Sequence, residues 1–466
     1  MDKKTYLYKI ICTVVVVALA VLLLCGVFSG RDTKYHLQDR SAIGPLTEED
    51  LTKVTVAAPT ATAYDGTIKA EAWKELFPEI TASMWANKDN SVHKPSYLET
   101  DPYLTSLYEG YGFAVNYDPA RGHEFCLEDV SATKRPHPFA NCLTCKTPNF
   151  AKLVQDQGKA AYSMDFKEVA DQIRSQGENV SCYTCHGNDA GNQGALRVTH
   201  DYVNEALDGA TLQAVNPATL SCGQCHIEYY FTVAEKATMM PYHNVESMSP
   251  EAILAYYDGM EINQDVTLKD IGTQETYTVA AGTEGFSDWY QSSTGARLLK
   301  AQHPEMETFL QGKHAAEGMS CADCHMEIKM NDDGTVYHSH ELVSPLSSEV
   351  LLSTCARCHG DTNMVQKVRR IQDSVTAKET VVGNNLSAFK DALAAANQAK
   401  ALPEAELEPI RKLYREAQWF FDFCYVENAE GAHNSELAFR CLDTAQEKID
   451  AGMKLLAGEP VEEPQD

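Results

Sequence analysis

Five short motifs, each with two cysteines separated by two residues, dominate the chemistry of this 466-residue chain. The five are Cys142-Leu-Thr-Cys145-Lys146, Cys182-Tyr-Thr-Cys185-His186, Cys222-Gly-Gln-Cys225-His226, Cys321-Ala-Asp-Cys324-His325 and Cys355-Ala-Arg-Cys358-His359. Each cysteine pair can form two thioether bonds to the vinyl groups of one haem, and the residue that follows can bind the iron. The sequence therefore predicts five covalently bound haem c groups.

A structural zinc site is the alternative interpretation, because zinc-binding domains also use pairs of cysteines at this spacing. A zinc site does not require histidine directly after the second cysteine. Here histidine follows in four of the five motifs. This regularity favours haem attachment over zinc.

Lys146, which replaces histidine in the first motif, predicts where catalysis takes place. A haem iron with two protein ligands only carries electrons, whereas a catalytic haem needs an open coordination position. A lysine amine binds iron only when it is deprotonated, and burial beside a cationic metal lowers the lysine pKa. We therefore expect the Lys146 haem to be the catalytic one; the alternative is a degenerate site with a histidine from elsewhere.

The charge balance excludes one class of partner and constrains the substrate site. The chain has 39 Lys and Arg against 66 Asp and Glu, a net charge of −27. No basic stripe accompanies it, which argues against nucleic-acid binding. So acidic a protein repels small anions at long range, and any anion site must therefore be locally positive.

The N-terminal 28 residues predict a signal peptide or a membrane anchor. Lys3, Lys4 and Lys9 precede an uncharged apolar run over residues 10–28. This run is long for a signal peptide and just long enough to span a bilayer, so a retained anchor is slightly favoured. The positive flank predicts that the rest of the chain lies outside the cytoplasm in either case.

The remaining chain is expected to be mainly α, with a multihaem cytochrome c fold and few short strands. We predict a spacer over residues 29–66, a pentahaem catalytic region over 67–362 and a C-terminal helical region over 363–466, the last two forming one continuous domain. Residues 277–280 are a candidate hairpin edge. Cys424 and Cys441 could pair, but buried free thiols are favoured.

Apolar residues recur at helical spacing after the fifth motif. The pattern runs from Met364 to Leu393, breaks at Pro403, resumes over residues 404–425, and returns from about Ser435 to Leu456. Long amphipathic helices of this kind indicate a helical subunit interface, and we expect a homodimer.

Several further segments carry a resemblance to a known family. They are Arg121-Gly-His123, Cys222-Gly-Gln-Cys-His-Ile-Glu-Tyr-Tyr-Phe231, Phe286-Ser-Asp-Trp289, Lys300-Ala-Gln-His-Pro-Glu305 and Ala417-Gln-Trp419. With the five motifs, they make residues 70–457 resemble the pentahaem cytochrome c nitrite reductases, which form ammonia. The resemblance implies six-electron reduction of nitrite to ammonium, with hydroxylamine, nitric oxide and sulfite as side substrates.

The resemblance also implies an electron donor, a membrane-associated quinol-oxidising multihaem cytochrome. Two other functions stay open at this point. One is that of a purely electron-transferring cytochrome, in which no haem has an open position. The other is that of a reductase or oxidase of another small nitrogen or sulfur compound.

By resemblance, Lys146 is the proximal ligand of the catalytic haem, and Arg135, Tyr229 and His303 line its open face. The loop from Arg135 to Lys146 is shorter than in enteric members of the family, so Arg121 is the rival for the distal arginine. The resemblance further implies one calcium ion, bound by the side chains of Glu228 and Gln302 and by the backbone carbonyls of Tyr229 and Lys300. Calcium prefers such oxygen ligands.

The other four haems each need a second histidine. The resemblance pairs His123 with His226, His340 with His186, His314 with His359, and His433 with His325. His338, two residues from His340, is a competitor. His93, His137, His200 and His243 receive no role and are expected at the surface or in packing.

Overall fold

The computed structural model describes residues 58–61, 64–136, 139–192, 194–360 and 362–460. The predicted signal or anchor over residues 1–28 lies outside these ranges, as do most of the predicted spacer and His137. Within the described ranges, no helix is both long enough and apolar enough to cross a membrane. The domain boundaries stay predictions.

The fold is mainly α, as predicted: short helices surround the five motifs, and three long helices follow them. The shorter α-helices are α1 (Ala70–Trp73), α2 (Pro78–Trp85), α3 (Tyr97–Thr100), α4 (Tyr103–Leu107), α5 (Cys126–Ala132), α6 (Pro148–Gln157), α7 (Phe166–Gln176), α8 (Cys182–His186), α9 (Asp201–Ala206), α10 (Gly209–Ala214), α11 (Pro217–Cys222), α12 (Pro250–Asp258), α13 (Glu305–Leu310), α14 (Lys313–Ala316), α15 (Cys321–His325) and α16 (Glu349–His359). The long helices are α17 (Met364–Ala399), α18 (Glu404–Tyr425) and α19 (Ser435–Leu456).

Short segments of 3-10 helix and short strands connect these helices. The 3-10 turns are Ala86–Asp89, Gly112–Val115, His123–Phe125, Ala140–Leu143, Gly158–Ser163, Val245–Met248 and Pro345–Ser347. The strands are β1 (Tyr230–Phe231), β2 (Thr238–Met239), β3 (Glu261–Ile262), β4 (Val266–Lys269), β5 (Thr276–Val279), β6 (Thr283–Glu284), β7 (Trp289–Gln291), β8 (Ala296–Leu298), β9 (Ile328–Met330) and β10 (Val336–His338).

The strands form two-stranded antiparallel pairs: β1 with β2, β3 with β6, β4 with β5, β7 with β8, and β9 with β10. The hairpin edge predicted at residues 277–280 is confirmed as β5, in which Tyr277 lies opposite Leu268 of β4.

Two of the haem motifs are themselves single helical turns, α8 and α15. At the start of α15, the Asp323 carboxylate accepts the backbone N–H and the hydroxyl of Ser320, both at 2.7 Å. Such a cap stabilises a short helix that would otherwise be marginal. Because residues three apart lie on one helix face, Cys321 and Cys324 project to the same side.

The three long helices confirm the predicted C-terminal segments. Lys400 adopts a left-handed conformation that ends α17, and Pro403 is the N-cap of α18. Phe389 of α17, Tyr414 of α18 and Leu442 of α19 are fully buried between the helices. The main hydrophobic core therefore lies along this three-helix region, and Cys424 and Cys441 lie buried in it as free thiols, as expected.

A second hydrophobic core underlies the first motif. Leu143 and Phe150 are fully buried there, with Val154 of α6 and Ile173 of α7 almost so. This core supports the segment that carries Lys146.

Candidate active site and paired histidines

The structure brings together the four histidine pairs that the sequence predicted. The ring centroids are 6.3 Å apart for His123 and His226, and 6.2 Å apart for His186 and His340, for His314 and His359, and for His325 and His433. With metal–imidazole bonds of about 2.0 Å, two rings on opposite sides of one metal have centroids roughly 6 Å apart. The side chains therefore fit a six-coordinate haem iron in each pair.

Hydrogen bonds at Nδ1 orient several of these histidine rings. Nδ1 lies within hydrogen-bonding distance of a backbone carbonyl in His186 (Ala195 O, 3.1 Å), His325 (Val343 O, 3.0 Å) and His340 (His338 O, 2.9 Å). An acceptor on Nδ1 leaves Nε2 to face a metal. His338 itself is exposed, and it is the ring of His340 that faces His186.

Of the histidines without an assigned role, those in the described part of the chain lie at the surface or in the packed interior. His93 and His243 are exposed. His200 is buried, with Nε2 2.8 Å from Thr144 O and Nδ1 3.2 Å from Gln224 Oε1. His200 is therefore a packing residue, in agreement with the expectation from sequence.

The third motif is central among the five. Cys225 contacts Cys145 of the first motif, and Cys222 contacts Cys321 of the fourth. Helix α11, which ends at Cys222, also packs against α8 of the second motif, and α15 of the fourth packs against α16 of the fifth. Groups bound at motifs two and four would thus both neighbour the third, and the third neighbours the first.

Local structure holds the backbone of Lys146 from both sides. Its N–H donates to Leu143 O at 3.0 Å, which closes the turn after the Ala140–Leu143 segment. Thr147, the next residue, is the N-cap of α6 and accepts the N–H of Asn149 at 3.2 Å. Lys146 O accepts the thiol of Cys126 at 2.9 Å. Lys146 thus sits at a rigid junction on the edge of the second core.

Arg135 lies beside Tyr229, close to the first motif. Its guanidinium stacks on Phe113, 3.6 Å from the ring centroid, and its Nε donates to Asn116 O at 2.9 Å. Among the described residues, no acceptor lies within hydrogen-bonding distance of its two terminal nitrogens. Burial lowers the pKa of Arg135, while the neighbouring Tyr229 acts in the opposite direction.

Arg121 has its donors occupied elsewhere. Its side chain is buried and bonds to Asp129 (Nε, 2.9 Å), to Glu128 (2.9 Å) and to Ser91 O (3.2 Å). Its guanidinium also stacks 4.2 Å above the Phe125 ring. Arg121 is therefore saturated in a structural network, which leaves Arg135 as the arginine next to Tyr229.

His303 and Tyr229 share a buried environment with the first motif. Burial lowers the pKa of His303 to about 4, with the nearby Lys146 acting in the same direction and Glu305 opposing it. Burial raises the pKa of Tyr229, and the thiols of Cys145 and Cys142 add to the shift. The structure thus gathers all four predicted catalytic residues around one motif.

The four residues predicted to bind calcium also converge. Glu228 Oε1 accepts the hydroxyl of Tyr257 at 2.8 Å, and Oε2 accepts the N–H of Gln302 at 2.6 Å. The side-chain amide nitrogen of Gln302 donates to Lys300 O at 2.9 Å. The backbone N–H of Lys300 donates to the Asp288 carboxylate at 2.8 Å. Burial raises the pKa of Asp288 to about 6, and burial also raises the pKa of Glu228 well above its usual value.

These residues fit a hard cation. In the part of the chain that the structure describes, no three His, Cys, Asp or Glu side chains are placed to hold a metal ion. The donors here are of mixed type, a carboxylate, an amide and backbone carbonyls, as calcium accepts. Buried carboxylates with raised pKa values are what such a site shows before a cation compensates their charge.

The sequence did not identify several polar residues behind this site. Lys300 Nζ lies 5.0 and 5.4 Å from the ring centroids of Tyr108 and Tyr117 and 3.7 Å from Asp422 Oδ2. Asp422 also accepts the Tyr108 hydroxyl at 2.6 Å. The one signal for Asp422 was its position on α18, three residues after the Ala417–Trp419 segment.

Comparison with known proteins agrees with this architecture. The family model for cytochrome c552 matches residues 69–460. This chain belongs to the cytochrome c552 family. The match spans the five motifs, the paired histidines and the three long helices.

Two relatives in this family are similar over most of the chain. The cytochrome c nitrite reductase subunit NrfA of Nitratidesulfovibrio vulgaris is 30% identical over 402 residues, covering 80% of this chain and 72% of the relative. Cytochrome c-552 of Desulfotalea psychrophila is 30% identical over 419 residues, with coverages of 84% and 75%.

A solved structure supports the same fold. It is the catalytic subunit NrfA of cytochrome c nitrite reductase from Desulfovibrio desulfuricans, a protein for which two calcium sites are described. The similarity has a TM-score of 0.72 at 27% identity and covers 84% of this chain and 86% of that one. The family resemblance and the mainly α multihaem fold, both predicted from sequence, are therefore confirmed.

Proposed function

We propose that this protein reduces nitrite to ammonium with six electrons and eight protons, at a haem held by Cys142, Cys145 and Lys146. The observation that carries the proposal is the convergence of Arg135, Tyr229 and His303 on the motif in which lysine replaces histidine. A lysine-bound iron with a polar, donor-lined opposite face suits a small anion that must be protonated as it is reduced.

The protein carries five haem c groups in this proposal. Four are held by the histidine pairs, whose ring separations of 6.2–6.3 Å leave room for an iron between two imidazoles. When bound, the haems would transfer electrons, and Lys146 would hold the haem at which nitrite is reduced. Zinc at the cysteine pairs would not explain the paired rings.

Arg135 binds and orients the anion. Its guanidinium is permanently charged and offers a planar pair of donors to two oxygens. Stacking on Phe113 and the bond to Asn116 O hold it in place. A protein with a net charge of −27 needs this local positive charge to keep nitrite bound.

His303 and Tyr229 supply hydrogen bonds and protons. The ring N–H of His303 and the hydroxyl of Tyr229 donate to the nitrite oxygens, which leave as water once protonated. Calcium held by Glu228, Gln302 and the carbonyls of Tyr229 and Lys300 would fix both side chains, because its ligands are the residues next to them.

Haems held at the five motifs would pass electrons to the first motif through the third, which neighbours motifs one, two and four. The donor is a membrane-associated quinol-oxidising multihaem cytochrome. The protein acts outside the cytoplasm, where haem c is attached, and α17 to α19 provide the interface of a homodimer.

A single-turnover assay of the purified holoprotein tests this function. Reduced protein is mixed with nitrite under anaerobic conditions, and nitrogen products are quantified. We expect ammonium as the product, without release of nitric oxide or hydroxylamine. Accumulation of either compound in place of ammonium, or no turnover of nitrite by protein with five haems, contradicts the proposal.

A further inference from the structure

Glu427 lies against one of the paired histidines and is the partner of its second ring nitrogen. Glu427 Oε1 is 2.5 Å from His433 Nδ1, and the side chain is 3% exposed. The same oxygen accepts the N–H of Ala429 at 3.3 Å. A hydrogen bond from imidazole to a buried carboxylate is stronger than one to a neutral acceptor.

The other paired histidines have different partners. His186, His325 and His340 meet neutral backbone carbonyls. His226 Nδ1 lies 3.8 Å from the buried carboxylate of Glu305, which is an ion-pair distance but longer than a hydrogen bond. Among the described residues, His433 is therefore the paired histidine whose Nδ1 is hydrogen-bonded to a carboxylate.

The fold holds this contact between two helices. Glu427 follows the end of α18 at Tyr425, and His433 immediately precedes Asn434, the N-cap of α19. The Asn434 side chain accepts the N–H of Leu437 at 3.1 Å, which anchors the turn. Gly431, with a φ of 82°, lies so close to Val375 of α17 that a Cβ would sit 2.7 Å from Cγ2. The connecting loop is therefore packed against the core.

We propose that Glu427 lowers the reduction potential of the haem held by His325 and His433. This inference rests on the bis-histidine part of the proposed function. A proton shared with an anion makes the imidazole a stronger donor to iron, and a buried negative charge favours Fe(III) over Fe(II). Both effects act in the same direction on the one-electron couple.

The place of this haem in the chain of motifs indicates how a lowered reduction potential would affect electron transfer. The fourth motif lies between the fifth and the third, since α15 contacts both α16 and α11. An electron on a low-potential haem moves downhill to the third motif and from there to the Lys146 haem. Glu427 would therefore favour onward transfer from the fourth motif to the third, while making the fourth haem itself harder to reduce.

Glu427→Gln removes the negative charge but keeps the hydrogen bond, because the amide oxygen can still accept the His433 N–H. The holoprotein is titrated spectroelectrochemically, and electron paramagnetic resonance follows each low-spin haem. We expect one bis-histidine couple to shift its equilibrium toward Fe(II) by about tenfold or more, equivalent to about 59 mV for one electron. The other couples should stay in place.

Glu430→Gln is the matched control. Glu430 is exposed on the same loop, and the change removes the same charge without touching His433. Unchanged potentials in Glu427→Gln, or an equal shift in Glu430→Gln, overturn the inference. If Glu427→Gln does not mature, Glu427→Asp keeps the charge but retracts it from His433, and the same couple must again shift toward Fe(II).

The wild-type protein separates this inference from the function it depends on. Absence of low-spin bis-histidine signals, or of ammonium formation, contradicts the proposed function. Five intact haems with full ammonium formation, and potentials that do not respond to Glu427, contradict the role of Glu427 alone.

Discussion

At the scale of single residues, the main electrostatic requirement of the site is a local positive charge. An anion must bind inside a protein whose net charge is −27. In the proposed function, Arg135 supplies the fixed positive charge that this anion needs, and its stacking on Phe113 limits the rearrangement of the guanidinium on binding. Arg121 differs from Arg135 because its guanidinium already donates hydrogen bonds to Asp129, Glu128 and Ser91 O.

Arg135→Ala should lower kcat/KM for nitrite strongly. Loss of a charge-assisted hydrogen bond costs about 1.5–3 kcal/mol, which is roughly ten- to more than a hundredfold in rate. Neutral hydroxylamine should be affected less, because it needs less charge compensation. Steady-state assays with both substrates measure the difference.

Arg121→Ala is the comparison for that variant. It should disturb the segment that carries His123 and change the haem spectrum. If Arg135→Ala leaves nitrite turnover intact, while Arg121→Ala abolishes it with a normal spectrum, the distal arginine is wrongly assigned.

Calcium removal should lower nitrite reduction while the haem content stays constant. Without the cation, Glu228, Gln302 and the Lys300 carbonyl lose the ion that compensates and aligns them, so Tyr229 and His303 lose their fixed orientation. Activity is measured after exhaustive chelation and again after calcium is restored, with Glu228→Gln as a variant of weakened affinity. Full activity in protein shown to be free of bound metal rejects this role.

At the scale of secondary structure, close packing among α17, α18 and α19 supports the fold behind the site. Gly452 of α19 faces Phe389 of α17 so closely that a Cβ would lie 2.0 Å from the ring. Glu379 of α17 is buried next to Cys424 of α18, with Oε1 3.3 Å from its Sγ. Both contacts make the helix packing sensitive to small changes.

Gly452→Ala should destabilise the protein, although alanine is favoured over glycine within a helix by about 1 kcal/mol. The added methyl group overlaps a buried aromatic ring, and overpacking costs about 1–3 kcal/mol. Thermal denaturation followed by circular dichroism measures the change. Glu447→Ala, on the exposed face of the same helix, should not lower the midpoint. Equal midpoints for wild type and Gly452→Ala would contradict the predicted overpacking.

Glu379 should make stability fall as pH rises. Burial raises its pKa from 4.5 to about 7, so the folded protein prefers the protonated carboxyl. This contribution is fully present below about pH 4.5 and is lost as pH rises through 7. At 1.36 kcal/mol per pKa unit, it amounts to up to about 3 kcal/mol.

Glu379→Gln, which is neutral at every pH, should flatten this dependence and raise stability above pH 7. Denaturant unfolding at a series of pH values provides the measurement. Glu406→Gln, at an exposed position of α18, is the control. A Glu379→Gln curve that parallels the wild-type curve would contradict the buried, protonated carboxyl.

At the scale of the whole molecule, the motifs form a branched chain with the third at its centre. Only the first motif has a lysine, and four histidine pairs are available for the other four. A protein built in this way should contain several saturated haems and one open haem.

The intact protein should therefore carry five covalent haems, and nitrite or cyanide should perturb one of them. Mass spectrometry counts the haems, and electron paramagnetic resonance assigns the perturbed signal. Four or fewer haems in fully active protein, or perturbation of several haems by one ligand, is incompatible with the assignment.

The sequence alone determined the features that depend on local chemistry. Thioether attachment requires two cysteines at a fixed spacing and a ligand next to them, so the haem motifs and the special place of Lys146 could be read directly. Helical periodicity and the break at Pro403 likewise predicted α17 to α19 at nearly their observed bounds. The mainly α fold followed from the same local signals.

Which distant residues meet depends on the tertiary structure, and from the sequence the histidine pairs followed only through the resemblance to a known family. His186 and His340 are far apart in the chain, and His338 is too close to His340 for spacing to distinguish them. The choice between Arg135 and Arg121, and the place of Glu427 beside His433, depend in the same way on packing between segments. Such contacts follow from how whole helices and loops pack, and no local pattern along the chain records them.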